Sequence, residues 1–109
     1  MNKKFTINGK TYESKEFDFN LVCDLEEIGI NVDLIRKKPM ATVRAYFALC
    51  ANEDVAFAGK EIQEHVLSGN NIEELMEVMN ENMEQSDFFL ALSKDEETET
   101  QQSKEKEKK

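Results

Sequence analysis

The chain has 109 residues, with 14 Lys+Arg against 23 Asp+Glu and a formal net charge of −9. That length supports one hydrophobic core, and the acid excess disfavours nucleic acid or an anionic membrane surface as a partner, because phosphate binding rests on Lys and Arg. The longest apolar run, Ala45–Ala51, is far short of the roughly 20 residues that cross a bilayer, and no apolar stretch follows Lys3 and Lys4 as a secretory signal requires.

In chain order, Phe5-Thr6-Ile7, Asn8-Gly9 and Lys10-Thr11-Tyr12 spell a β-hairpin. Asn-Gly tolerates the positive φ angles of a two-residue turn, and such a loop pairs Ile7 with Lys10 and Phe5 with Tyr12. An isolated hairpin is marginal in water, so its aromatic face must rest on another element. Asp18 is a suitable N-cap for a helix carrying Phe19, Val22, Leu25 and Ile28 on one stripe and ending at Gly29. Asn31 or Asp33 can cap a short turn through Leu34 and Ile35, closed by Arg36-Lys37-Lys38 and Pro39.

Beyond Pro39, helical spacing places Met40, Val43, Phe47 and Cys50 on one stripe. A further helix is expected from about Val55 to Leu67 on Ala58, Ile62 and Val66. Asn71 then caps a last one with Ile72, Leu75, Met76, Met79 and Met83 as its apolar side. Glu74 stands three residues after Asn71, close to a capping box. The pattern leaves open whether this helix continues through Phe88, Phe89, Leu90 and Leu92 or breaks near Asp87.

From Lys94 onward no apolar residue occurs, and such composition does not offset the entropy of ordering. The expected architecture is therefore a mainly α (α+β) domain over 1–93, followed by a disordered charged tail over 94–109. A hairpin at about 3–14 leads a small bundle of four to five helices at about 18–93. Residues 1–44 carry eight basic and seven acidic groups, whereas 45–93 carry one basic group, Lys60, against ten acidic. The acidity thus belongs to the C-terminal half of the domain.

The parts needed for catalysis are nearly absent, so no catalytic, cofactor or metal site is assigned. His65, the single histidine, flanks an apolar stripe and reads as a helix residue at the core rim rather than a general base. Cys23 and Cys50 form no CxxC, read as small buried hydrophobes of a cytosolic protein, and offer no zinc site. The glycines are isolated and match no phosphate-binding loop, and the acidic pairs lack the spacing of a calcium loop.

Three features remain for recognition. Met76, Met79 and Met83, followed by Phe88 and Phe89, form a flexible apolar set of the kind that accepts varied partners, with core filling as the competing reading. The basic cluster Arg36, Lys37, Lys38 and Arg44 opposes the acidic half and suits head-to-tail self-association into a homo-oligomer, or an intramolecular charge match. The charged tail is a soluble appendage.

The succession of segments resembles a known family. Phe5-Thr6-Ile7-Asn8-Gly9-Lys10-Thr11-Tyr12 precedes Phe17-Asp18-Phe19-Asn20-Leu21-Val22-Cys23-Asp24-Leu25-Glu26. Ile62 to Met76 and Met79 to Phe89 follow. Together they resemble the tail assembly chaperones of long-tailed (siphovirus-type) bacteriophages and prophages of Gram-positive bacteria. The resemblance implies a non-enzymatic protein of the host bacterial cytoplasm, absent from the mature virion. It implies binding of the long, aggregation-prone tape measure protein and promotion of tail tube assembly around it. It also implies a longer product, made by ribosomal frameshifting, that engages the tail tube protein. The Lys-rich end, Lys104-Glu105-Lys106-Glu107-Lys108-Lys109, suits an A-rich slippery site, which makes this chain the expected short form. A small acidic inhibitor that mimics DNA and blocks a nucleic-acid-binding protein is the alternative.

Overall fold

The computed structural model describes residues 3–92, so the tail expected at 94–109 lies outside the described residues. Strands β1 (Lys4–Ile7) and β2 (Lys10–Glu13) form an antiparallel hairpin. Its register sets Ile7 opposite Lys10 and Phe5 opposite Tyr12, as the Asn-Gly loop requires. Asn8 and Gly9 both take positive φ, 54° and 82°, the backbone of a type I′ turn. Five helices follow: α1 (Phe19–Ile28), α2 (Val32–Lys37), α3 (Pro39–Ala51), α4 (Val55–Leu67) and α5 (Glu73–Gln85). The helical pattern breaks at Ser86, and a sixth helix, α6, occupies 87–92. The domain is mainly α behind its hairpin, and among the described residues no helix is long and apolar enough to cross a membrane.

Caps explain most boundaries. Asp18, Asn31 and Asp54 each accept the N–H three residues on, from Leu21, Leu34 and Phe57, and so satisfy an orphan donor of the first turn. Gly29 closes α1 in the left-handed region at φ 106°, where its N–H reaches Glu26 O. The α5 boundary differs from expectation. Ile72 is the N-cap, and Asn71 Oδ1 accepts from Glu73 N–H instead. Glu74 does not complete a capping box; its carboxylate is drawn to the hairpin, as described below.

Helix α3 is the central element, with Thr42, Val43, Ala45, Tyr46, Phe47 and Ala48 all buried. This is why it has no single apolar stripe: the hairpin, α1, α4 and α5 all pack against it. Phe47 meets Phe5 and Tyr12 edge-on, with ring centroids at 5.8 and 5.0 Å, so the aromatic face of the hairpin rests on α3. On another side Tyr46 stacks on Phe17 at 5.3 Å, and Phe89 of α6 meets Phe17 edge-on at 5.1 Å.

Three expected stripe residues leave the core. Phe19 is 64% exposed and Met40 60% exposed. Both lie in the first turn of their helices and keep only peripheral contacts, Phe19 with Phe88 and Met40 at the rim of a hollow with Ile62 and Ile72. Val66 is also exposed, and His65 takes the buried position that Val66 was expected to hold.

Candidate functional site

Four buried polar residues, Ser14, Thr42, His65 and Asn82, organise the core together with the Tyr46 hydroxyl, and each is engaged. His65 Nδ1 accepts Asn8 N–H at 2.8 Å, which leaves the proton on Nε2, 2.9 Å from Asn71 O. The imidazole thus joins the hairpin turn to the α4–α5 connection. That assigns it the structural position expected at the core rim, more deeply buried than a rim residue. Tyr46 Oη donates to Lys15 O at 2.6 Å and accepts Lys15 N–H at 3.0 Å, while Asn82 Nδ2 approaches it at 3.3 Å. Thr42 Oγ1 donates to Lys38 O at 2.8 Å, and Ser14 Oγ accepts Lys3 N–H at 3.1 Å. Burial, reinforced by the neighbouring Cys50 thiol, pushes the Tyr46 phenol well above its usual value; burial raises the Cys50 thiol to about 11, against an opposing contribution from its hydrogen bond with Tyr46.

The carboxylates of α5 divide into two sets, a distinction that charge counting misses. On the hairpin side, Glu74 Oε1 accepts Thr6 N–H at 2.9 Å, and Glu81 lies 3.5 Å from Lys3 Nζ. Thr6 occupies a non-hydrogen-bonded position of the strand pair, so its N–H points away from β2 and would otherwise be an open edge donor. Asn8 Nδ2 likewise reaches Glu61 and Glu64 of α4, at 3.2 and 3.0 Å. Part of the acidity therefore holds the hairpin to α4 and α5. The second set, Glu73, Glu77 and Glu84, is exposed on a different face of α5, at i, i+4 and i+11.

Glu84 of that second set also lines a groove of about 330 Å³ between α5, α6 and the α2–α3 junction. Met76, Met79 and Met83 line one wall, Ile35 and Pro39 the other, with Phe89 and Leu90 at the end. Met79 and Phe89 are buried and form the floor; Met76 and Met83 are half-buried and border the opening. The structure thus brings four of the five residues expected to bind a partner into one groove, and core filling and surface display are shared among them. Phe88 is set apart: its ring meets Phe19 edge-on at 5.9 Å, and it borders a separate polar cavity with Glu16, Asp18 and Asn82.

The expected self-association residues fall in different places. Arg36 lines the groove, Lys37 pairs with Asp33 at 3.1 Å, and Lys38 bridges α2 and α3 through its carbonyl. Arg44 borders a second, mainly apolar hollow of about 300 Å³ with Met40, Val43, Gly59, Ile62 and Ile72. This hollow is not legible from local spacing because its α3 residues, Met40 to Arg44, lie about thirty positions before Ile72. Its one sequence signal is Met40, apolar in an exposed first turn.

Among the described residues, no group of three or more His, Cys, Asp or Glu is placed to hold a metal ion. Compared with models of protein families, with characterised proteins and with solved structures, the chain matches none.

Proposed function

We propose that this chain is a non-enzymatic chaperone of the phage tail-assembly type. In this reading it binds the tape measure protein in the host bacterial cytoplasm, keeps it soluble, and assists tail tube assembly around it, the tail tube protein being engaged through a longer frameshifted product. The observation that carries the reading is the groove lined by Met76, Met79 and Met83, a mainly apolar surface with Glu84, Asn80 and Arg36 at its border. Methionine side chains adapt to varied apolar surfaces, and the flanking charge keeps a complex of two sticky partners in solution. The resemblance of the segments over residues 3–92 points the same way. An acidic mimic of nucleic acid has less support, because Glu61, Glu64, Glu74 and Glu81 are engaged by the hairpin.

Co-expression with the tape measure protein of the same genome tests the proposal. The tape measure protein is expected in the soluble fraction only when this chain is present, in a complex that survives high salt. An equally insoluble client with and without the chain overturns it. Binding instead to a basic nucleic-acid-binding protein, weakening steeply with salt, would favour the mimic.

A further inference from the structure

Independently of the tail-assembly reading, we propose that Asn8-Gly9 is a deamidation site: docking of the hairpin suppresses the reaction, and its product keeps the hairpin off α4. Asn followed by Gly favours this chemistry because glycine sets no Cβ beside the attacking amide. Gly9 is exposed, and nothing lies within 4 Å of the position a Cβ would take there. In the reaction the Gly9 nitrogen attacks Asn8 Cγ. The new N–Cγ bond forms as the Cγ–Nδ2 bond breaks, and Nδ2 leaves as ammonia with the Gly9 amide proton. Water then opens the succinimide at one of its two carbonyls, leaving aspartate or isoaspartate at position 8. Loss of ammonia makes the change one-way.

The docked turn opposes ring closure in two ways. Asn8 Nδ2 donates to Glu61 Oε1 at 3.2 Å and to Glu64 Oε1 at 3.0 Å, which fixes the carboxamide against α4. The backbone is held as well: Asn8 has φ 54°, and its N–H is bound by His65 at 2.8 Å. A succinimide confines ψ of its asparagine to extended values, whereas a left-handed turn residue holds ψ at about +47°. Ring closure therefore draws on turns that have left α4 by local opening. The product then opposes return. A carboxylate replaces the amide that bridged Glu61 and Glu64, so three like charges meet where two charge-assisted bonds stood. Isoaspartate also adds a methylene to the two-residue loop and displaces the N–H that His65 accepts.

Incubation of the full chain at mildly alkaline pH, in buffer and in urea, tests both halves. Peptide mass mapping reads the exchange of NH2 for OH at position 8. The reaction is expected to run about tenfold or more slower in buffer, where the turn is docked. The deamidated chain, separated by its added charge, should melt about 5–10 °C below the starting material. Hydrogen exchange should quicken at the Thr6 amide, which Glu74 holds only while the hairpin is docked. Asn8→Asp isolates the charge, since aspartate tolerates the left-handed turn, and it should lower Tm in the same direction. Glu61→Gln with Glu64→Gln in that background should restore most of the loss. Equal rates in buffer and urea, or no reaction in either, would overturn the proposal. So would a deamidated chain with unchanged Tm and Thr6 exchange, or an Asn8→Asp loss that the two glutamines leave in place.

Discussion

His65 accepts the backbone N–H of Asn8 at 2.8 Å, across 57 residues of chain, and so fastens the hairpin turn to helix α4. Its other nitrogen meets Asn71 O at 2.9 Å, at the entry to α5. Three elements depend on one imidazole. His65→Phe keeps the volume and removes both bonds, leaving a donor and an acceptor without partners. We expect a loss of about 2 kcal/mol, seen as a fall of roughly 10 °C in Tm. A Tm within 2 °C of wild type, on a scale of about 4 °C or more per kcal/mol, would contradict this role.

Tyr46 makes the comparable junction on the other side of α3. Tyr46→Phe retains the stack on Phe17 but strands Lys15 N–H and C=O and removes a partner of Asn82. The expected cost is about 1–3 kcal/mol in urea denaturation. The far-ultraviolet circular dichroism should be unchanged, since no helix cap is involved.

Alkaline pH should weaken the fold through Cys50 and Tyr46. Tyr46 is buried, and Cys50, like Cys23, is half-buried rather than fully enclosed as expected of a small hydrophobe; both hold their protons, and burial raises both pKa values in the folded chain. The folded state therefore holds these protons more tightly than the unfolded one. Their stabilisation is complete below the ordinary thiol value of 9.0 and is lost as pH climbs through about 11 for Cys50 and higher for Tyr46. Urea midpoints measured from pH 7 to 11 should be level at first and fall above pH 9. Cys50→Ala should remove the first part of the fall, and a curve of unaltered shape in that variant would count against the assignment.

The carboxylates of α5 should separate by mutation. Glu74→Ala removes the acceptor of Thr6 N–H and exposes the β1 edge, at an expected cost of about 1 kcal/mol. Glu77→Ala on the other face should stay within about 0.5 kcal/mol of wild type. Equal effects of the two substitutions in denaturant melts would show that charge number, rather than position, governs stability.

Ser86 Oγ donates to Phe17 O at 2.6 Å and accepts Phe89 N–H at 2.9 Å, so it both starts α6 and ties it to the core. Ser86→Ala should cost about 1–2 kcal/mol and speed hydrogen exchange of the Phe89 amide. Because Phe89 forms the groove floor, the same variant should weaken whatever the groove binds.

Much of the fold is legible in local chemistry. Asn8-Gly9 announces its turn, Asp18, Asn31 and Gly29 mark helix ends, and Pro39 opens α3 as the first residue it can occupy. The apolar stripes depart from the core where a first turn is covered only at its periphery, as at Phe19 and Met40, and where a buried polar residue replaces an apolar one, as at His65. Periodicity reports which residues share a face; how far the facing element extends is a property of the partner.

The amino-acid sequence by itself determined the mainly helical class, the hairpin register, most caps and the placing of the acid excess in the C-terminal half. These follow from φ preferences, hydrogen-bonding side chains and spacing within a few residues. The tertiary structure alone decided which carboxylates hold the hairpin and which stay exposed, because Thr6 and Glu74 meet only after 68 residues of chain have folded back. It also decided that the methionines are both core and surface. Met79 and Phe89 close the floor while Met76 and Met83 stay half open, since α5 is packed on one side and left unaccompanied beside Pro39.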